Sequence, residues 1–184
     1  MRIVHIVSAS LLLFISGCGQ AAAPADADAQ TNDSAAASAQ SAEVTAAERT
    51  AILSALNMRA NTNGQVENEC GDMVTPQFVV ADVGPGVGRA IAFVIGGGPS
   101  AAACYGDGPM VMLMRQANGA WSNIYMVRGG MMIILPVRHN DANDLADGGP
   151  GFSFPVRQWN GTTYVSANRE VADSALGDAR FIPN

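Results

Sequence analysis

Met110, Met112 and Met114 occupy every second position of Gly108–Arg115. Thioethers are soft donors, so a row of them on one side of a strand is a candidate Cu(I) ladder. Methionine is also a flexible filler of apolar cores. Val111 and Leu113 lie between the three and make the second face apolar as well. Two apolar faces predict a central strand covered on both sides, by a second sheet and by a helix, and packing is the reading this run favours.

The other residues able to do chemistry fall close together. Asp141, Asn143, Asp144 and Asp147 gather oxygen donors of the kind a hard cation such as Ca²⁺ accepts, and form a candidate cation loop. Their spacing, D-x-N-D-x-x-D, departs from the EF-hand loop, and Asn and Asp also make plain turns through side-chain-to-backbone hydrogen bonds. His139 precedes them and is one of two histidines, the other being His5. Paired with Asp141 or Asp144 it could orient a base for a serine, but G-x-S-x-G is absent, so no catalytic residue is assigned. Gly84-Pro85-Gly86-Val87-Gly88 is followed by Ala90 to Ile95, a strand pattern and not the helix a phosphate cradle needs. No cofactor is implied. The competing enzymatic expectation is a metal-assisted or acid-type hydrolase of an envelope polymer that uses His139 and Asp141 to Asp147, and a third is a Cu or Ca binding protein.

These residues must be positioned by mostly β elements. Thr45-Ala46-Ala47-Glu48 is a capping box, and Ala51, Ile52, Leu53, Ala55 and Leu56 continue it with helical period, predicting a helix over 45–59. Short apolar runs then follow at 78–80, 90–95, 110–114, 121–127, 131–137, 152–156 and 164–165, separated by Gly, Pro, Asn or Asp. Arg128-Gly129-Gly130 reads as a tight hairpin between two of them. Trp121, Tyr125, Phe152, Phe154, Trp159 and Tyr164 gather around two Asn-Gly turns, as aromatics closing a sheet or as a shallow platform for a glycan or peptide.

An internal echo runs through this region. Arg115-Gln116-Ala117-Asn118-Gly119 recurs as Arg157-Gln158-Trp159-Asn160-Gly161, and Gly97-Gly98-Pro99 recurs as Gly148-Gly149-Pro150. The expectation is an antiparallel meander of two related halves, about 75–128 and 129–166, plus one N-terminal packing helix. The first copy is longer between its Gly-Gly-Pro and its Arg-Gln, and the added stretch contains Cys104. Ala81 to Arg89 and Asn140 to Leu145 also resemble, loosely, the Asp-bearing loops of FG-GAP and VCBS-type β repeats of exported bacterial proteins. The first of these loops has Gly and Pro where calcium-binding members carry further Asp or Asn. Asp144 to Val165 is similar to segments of uncharacterised proteobacterial periplasmic proteins, a likeness that implies no activity.

Arg2 and the apolar run Ile3–Ile15 have the proportions of a secretory signal, too short for a spanning helix. Ile15-Ser16-Gly17-Cys18 at its end resembles the lipobox of bacterial lipoproteins. That resemblance implies a signal peptide over 1–17, cleavage after Gly17, acylation of Cys18 and, with Gly at position 19, the periplasmic face of the outer membrane. Residues 18–42 are almost all small or polar, which predicts a disordered tether, and 43–184 a single β-rich domain. Cys70 and Cys104 are then left to pair in an exported domain. Ten arginines, no lysine and sixteen acidic residues give a net charge of −6, which argues against nucleic acid as a partner. The expected role is a binding or structural module attached to the membrane by lipid, with an envelope protein or glycan as partner.

Overall fold

The computed structural model describes residues 43–183. The lipobox, Cys18 and the tether lie outside the described residues. The first element is helix α1, Ala46–Ala55. Its capping box is formed: the Glu48 amide donates to Thr45 Oγ1 (3.2 Å) and the Thr45 amide to Glu48 Oε2 (2.8 Å). The helix stops short of the expected Arg59. Leu56 is the C-cap and Asn57 turns the chain with φ 56°, a left-handed conformation that Asn tolerates better than most residues. Glu48 also accepts from Arg89 Nε at 2.9 Å, fastening the helix N-terminus to the sheet below.

A small hairpin follows, β1 (Val66–Glu67) with β2 (Met73–Val74). The first sheet is β3 (Gln77–Val80), β4 (Ala90–Ile95), β5 (Met110–Ala117) and β6 (Ala120–Arg128), antiparallel and in chain order. The second is β7 (Met131–His139), β8 (Ala142–Gly148), β9 (Ser153–Trp159) and β10 (Tyr164–Ala172), again in chain order, with β11 (Arg180–Ile182) added beside β7. A short helix α2, Ala101–Tyr105, is inserted between β4 and β5. The protein is mainly β, with antiparallel sheets and one longer packing helix.

Two sequence expectations need correcting here. Arg128-Gly129-Gly130 is not a hairpin: β6 ends the first sheet and β7 pairs with β8 and β11 in the second. The glycines turn the chain from one sheet to the other through a space without room for side chains. A Cβ on Gly129 would lie 2.1 Å from the Tyr105 carbonyl oxygen, and one on Gly130 would lie 1.9 Å from that of Gly148. The segment 141–147 is likewise not a loop. Asn140 and Asp141, with φ 52° and 58°, make a two-residue turn, and β8 begins at the next residue.

Each sheet therefore holds a meander of four consecutive strands. Arg115-Gln116 and Arg157-Gln158 sit near the end of the third strand in each, and Asn118-Gly119 and Asn160-Gly161 follow before the fourth. The first turns of the two meanders meet. The Gly86 amide donates to the Asp141 carbonyl (2.9 Å) and the Asn143 amide to that of Val83 (2.8 Å). The Gly84–Gly88 loop is thus a backbone clasp between the sheets.

Alternation along the strands distributes the apolar residues into three buried clusters. Between the sheets lie Ala92, Val94, Val111, Leu113, Met132, Ile134, Leu145, Trp159 and Tyr164. On the other face of the first sheet, Ile91, Phe93, Met110, Met112 and Met114 pack under Ile52 of α1 and Val66 and Val74 of the small hairpin. The outer face of the second sheet is covered where Leu176 and Ala179 fold back over Ile133, Leu135, Ala146, Phe154 and Val156. Cys70 and Cys104 are bonded, with Cα atoms 5.7 Å apart, tying the turn of the small hairpin to α2.

Candidate functional site

The methionine ladder is core. Met110, Met112 and Met114 are 2%, 6% and 0% exposed, on the face toward α1, while Val111 and Leu113 point into the space between the sheets. The aromatic residues do not form one platform. Tyr125, Trp159 and Tyr164 pack together between the sheets, Trp121 lies under α1, Phe154 joins the outer cluster, and Phe152 stands alone in solvent.

The four oxygen-bearing residues of the candidate cation loop are divided by the pleat of β8. Asp141 remains in the turn, exposed. Asn143 is buried and donates from Nδ2 to the Leu135 carbonyl (2.6 Å), so its side chain is spent on the sheet. Asp147 meets the first sheet: Tyr125 donates its hydroxyl hydrogen to one oxygen and Arg157 Nε donates to the other at 2.9 Å. Burial first, and then the Asp147 carboxylate, push the Tyr125 hydroxyl well above its ordinary value; Arg157 is raised by its bond to Asp147. Among the described residues, no group of three or more His, Cys, Asp or Glu side chains is placed to hold a metal ion.

Asp144 lies on the opposite face of β8, completely buried, and the structure brings His139 to it. His139 Nδ1 is 2.7 Å from Asp144 Oδ1, Arg169 Nη2 donates to Oδ2 at 2.6 Å, and Gln158 Nε2 donates to Oδ2 at 3.3 Å. Carboxylate oxygens only accept here, so Nδ1 carries the proton. A desolvated carboxylate held by an arginine, an imidazole and an amide is a compensated buried charge. The same contacts fix the orientation of the imidazole, which is half exposed. Asp141, the other partner weighed for His139, is not in this network. With Nδ1 donating to Asp144, the Gln158 amide nitrogen 3.1 Å away is a second donor and makes no bond to it, so among the described residues Asp144 is the hydrogen-bond partner of the ring and no hydroxyl is bonded to it. Arg169 carried no signal of this role in the sequence, because its pairing with Asp144 spans 25 positions.

Open space with few side chains occurs at one end of the sandwich. A cleft of about 540 Å³ runs past Gly96, Gly97, Gly106 and Gly108. A second, of about 250 Å³, runs past Gly129, Gly130, Gly149 and Pro150. Both are lined by Asp107, Gly108, Pro109 and Pro183, so they adjoin along that segment. The Gly-Gly-Pro echo frames them: each copy follows the second strand of its meander and contributes to a different cleft. Met131, 38% exposed, lines the second cleft, and Phe152, 88% exposed, lies two residues beyond Pro150.

The chain matches no protein-family model, no curated protein and no solved structure.

Proposed function

We propose that this protein is a lipid-anchored envelope protein, facing the periplasm from the outer membrane, whose β-sandwich acts as a binding module. The anchoring part rests on Ile15-Ser16-Gly17-Cys18 after an apolar leader and on the polar stretch that follows. The Cys70–Cys104 bond supports it, because such bonds persist in oxidising compartments.

The observation that carries the binding part is the pair of adjoining glycine- and proline-lined clefts, with the solvent-exposed Phe152 two residues along the chain from Pro150. Their place in the fold suits a tethered module. Glu43 offers its carbonyl to Arg89 Nη2 (2.9 Å), just before β4 starts, whereas the first cleft takes in Gly96, just after β4 ends. Six extended residues separate the point where the chain enters from this cleft by about 20 Å at 3.4 Å per residue. Glu43, the first described residue, and the clefts thus lie toward opposite ends of β4.

The test is capture from solubilised envelopes by the full-length protein in detergent, comparing the natural chain with Phe152→Ser. The expectation is an envelope protein or glycan retained by the natural chain and lost with the variant at unchanged melting temperature. Equal retention by both, or none by either, would remove the binding reading.

A hydrolytic reading has one observation in its favour, the His139–Asp144 pairing. It predicts that His139→Ala abolishes cleavage of an envelope polymer while leaving capture intact.

A further inference from the structure

We infer that the partner presents an extended peptide segment bearing a lysine or arginine, which the clefts bind with Asp107 as its counter-charge. The inference rests on the binding reading above and names the chemistry of the partner at that same site.

Consider first their walls. Gly97, Gly106 and Gly149 line the clefts with open space where a side chain would stand, whereas Gly96, Gly108 and Gly129 are packed against Pro109, Gly130 and Tyr105 of this chain. Open positions of this kind let another backbone approach closely. The main-chain groups of a sheet edge are what an added extended peptide can satisfy. The edge strand β3 contributes Gln77 to the first cleft, and among the described residues β3 pairs only with β4.

Charge then selects among peptides. Asp107 lines both clefts, and among the described residues lining them it is the one ionisable side chain. It is exposed, and among the described residues it has no hydrogen-bond or ion-pair partner. Other acidic groups near this end are already engaged: Asp72 Oδ2 accepts from the Ser100 amide at 2.9 Å, and Glu69 pairs with Arg128. A cationic side chain therefore has one place to go. The net charge of −6 favours the approach of a cationic segment further. Met131, which lines the second cleft together with Asp107, supplies an apolar contact for a residue flanking the cation.

The experiment uses the full-length protein in detergent micelles and three pools of N-acetylated, C-amidated octapeptides, with Lys, Gln or Glu fixed at a central position and the flanks randomised. Retained peptides are quantified by mass spectrometry. The Lys pool is expected to be enriched over the Glu pool by about two- to fivefold, the size an exposed ion pair supports. Asp107→Asn abolishes the difference, and Asp107→Lys inverts it. Equal retention of the three pools, or a Lys preference that survives Asp107→Asn, overturns the inference. Retention that ignores Asp107 but is lost with Phe152→Ser also overturns it while leaving the binding reading in place. Loss of all retention by the natural chain, together with failed envelope capture, removes both.

Discussion

Removing one oxygen from Tyr125 tests the packing of the two sheets against each other. Tyr125 on β6 reaches across to Asp147 on β8, and its ring packs on Tyr164 at a centroid distance of 5.9 Å. In Tyr125→Phe the ring stays and the hydrogen bond goes. A hydrogen bond to a charged acceptor contributes about 1.5–3 kcal/mol, so the variant should be less stable by that amount at pH 7. Alkaline pH should then erase the difference. The hydroxyl is raised in the folded state, whereas in the unfolded chain it ionises at its ordinary value near 10. Below that pH both states hold the proton and stability is flat. Above it the unfolded chain loses the proton first, so the natural protein loses stability as pH rises, by about 1.4 kcal/mol per pH unit from this one group. Tyr164 is raised by burial and by Asp144 and adds a slope of the same sign in both proteins. Urea midpoints read by the fluorescence of buried Trp121 and Trp159 between pH 7 and 11.5 should therefore show two curves converging above pH 10. Curves that stay parallel would mean that Tyr125 is not buried and neutral beside Asp147, and would refute the inter-sheet contact.

Three further outcomes follow from the packing. Met114→Ala should lower stability by about 2–5 kcal/mol, and added Cu(I) should not raise the melting temperature of the natural protein, because the thioethers are core. Gly130→Ala should cost about 1–3 kcal/mol or more by forcing the sheet-switching corner open, while Gly149→Ala, which meets nothing within 4 Å, should stay within about 0.5 kcal/mol in a thermal melt. Replacing Cys70 and Cys104 together by Ser opens a link across a sequence separation of 34 and should cost about 4 kcal/mol, lowering the melting temperature by roughly 12 °C.

What could be read from residue order was what local patterns encode. The capping box at Thr45–Glu48 and the alternation at 110–114 each depend on neighbours a few positions away. The covering of the methionine strand by a second sheet on one face and a helix on the other followed from its two apolar faces. β8 was hidden for the opposite reason. Asn143, Asp144 and Asp147 look like turn residues until Leu135, Arg169, Arg157 and Tyr125 arrive from elsewhere to satisfy them. Polar residues in a strand interior are legible only with their distant partners. The hairpin expected at Arg128-Gly129-Gly130 failed because positive φ at glycine allows a hairpin and a change of sheet equally. β11 and α2 are too short for any period to emerge. The echo was legible as residues, but that its two Gly-Gly-Pro loops would frame adjoining clefts with Asp107 lining both depends on how the two meanders pack.

The account stands or falls on export and acylation. The intact mass of the protein purified from membranes, with and without reduction, tests both at once. The expected species is residues 18–184 carrying lipid on Cys18 and gaining two hydrogens on reduction at Cys70 and Cys104. A species of residues 1–184 recovered from the cytosol, bearing no lipid and unchanged by reductant, would contradict the account.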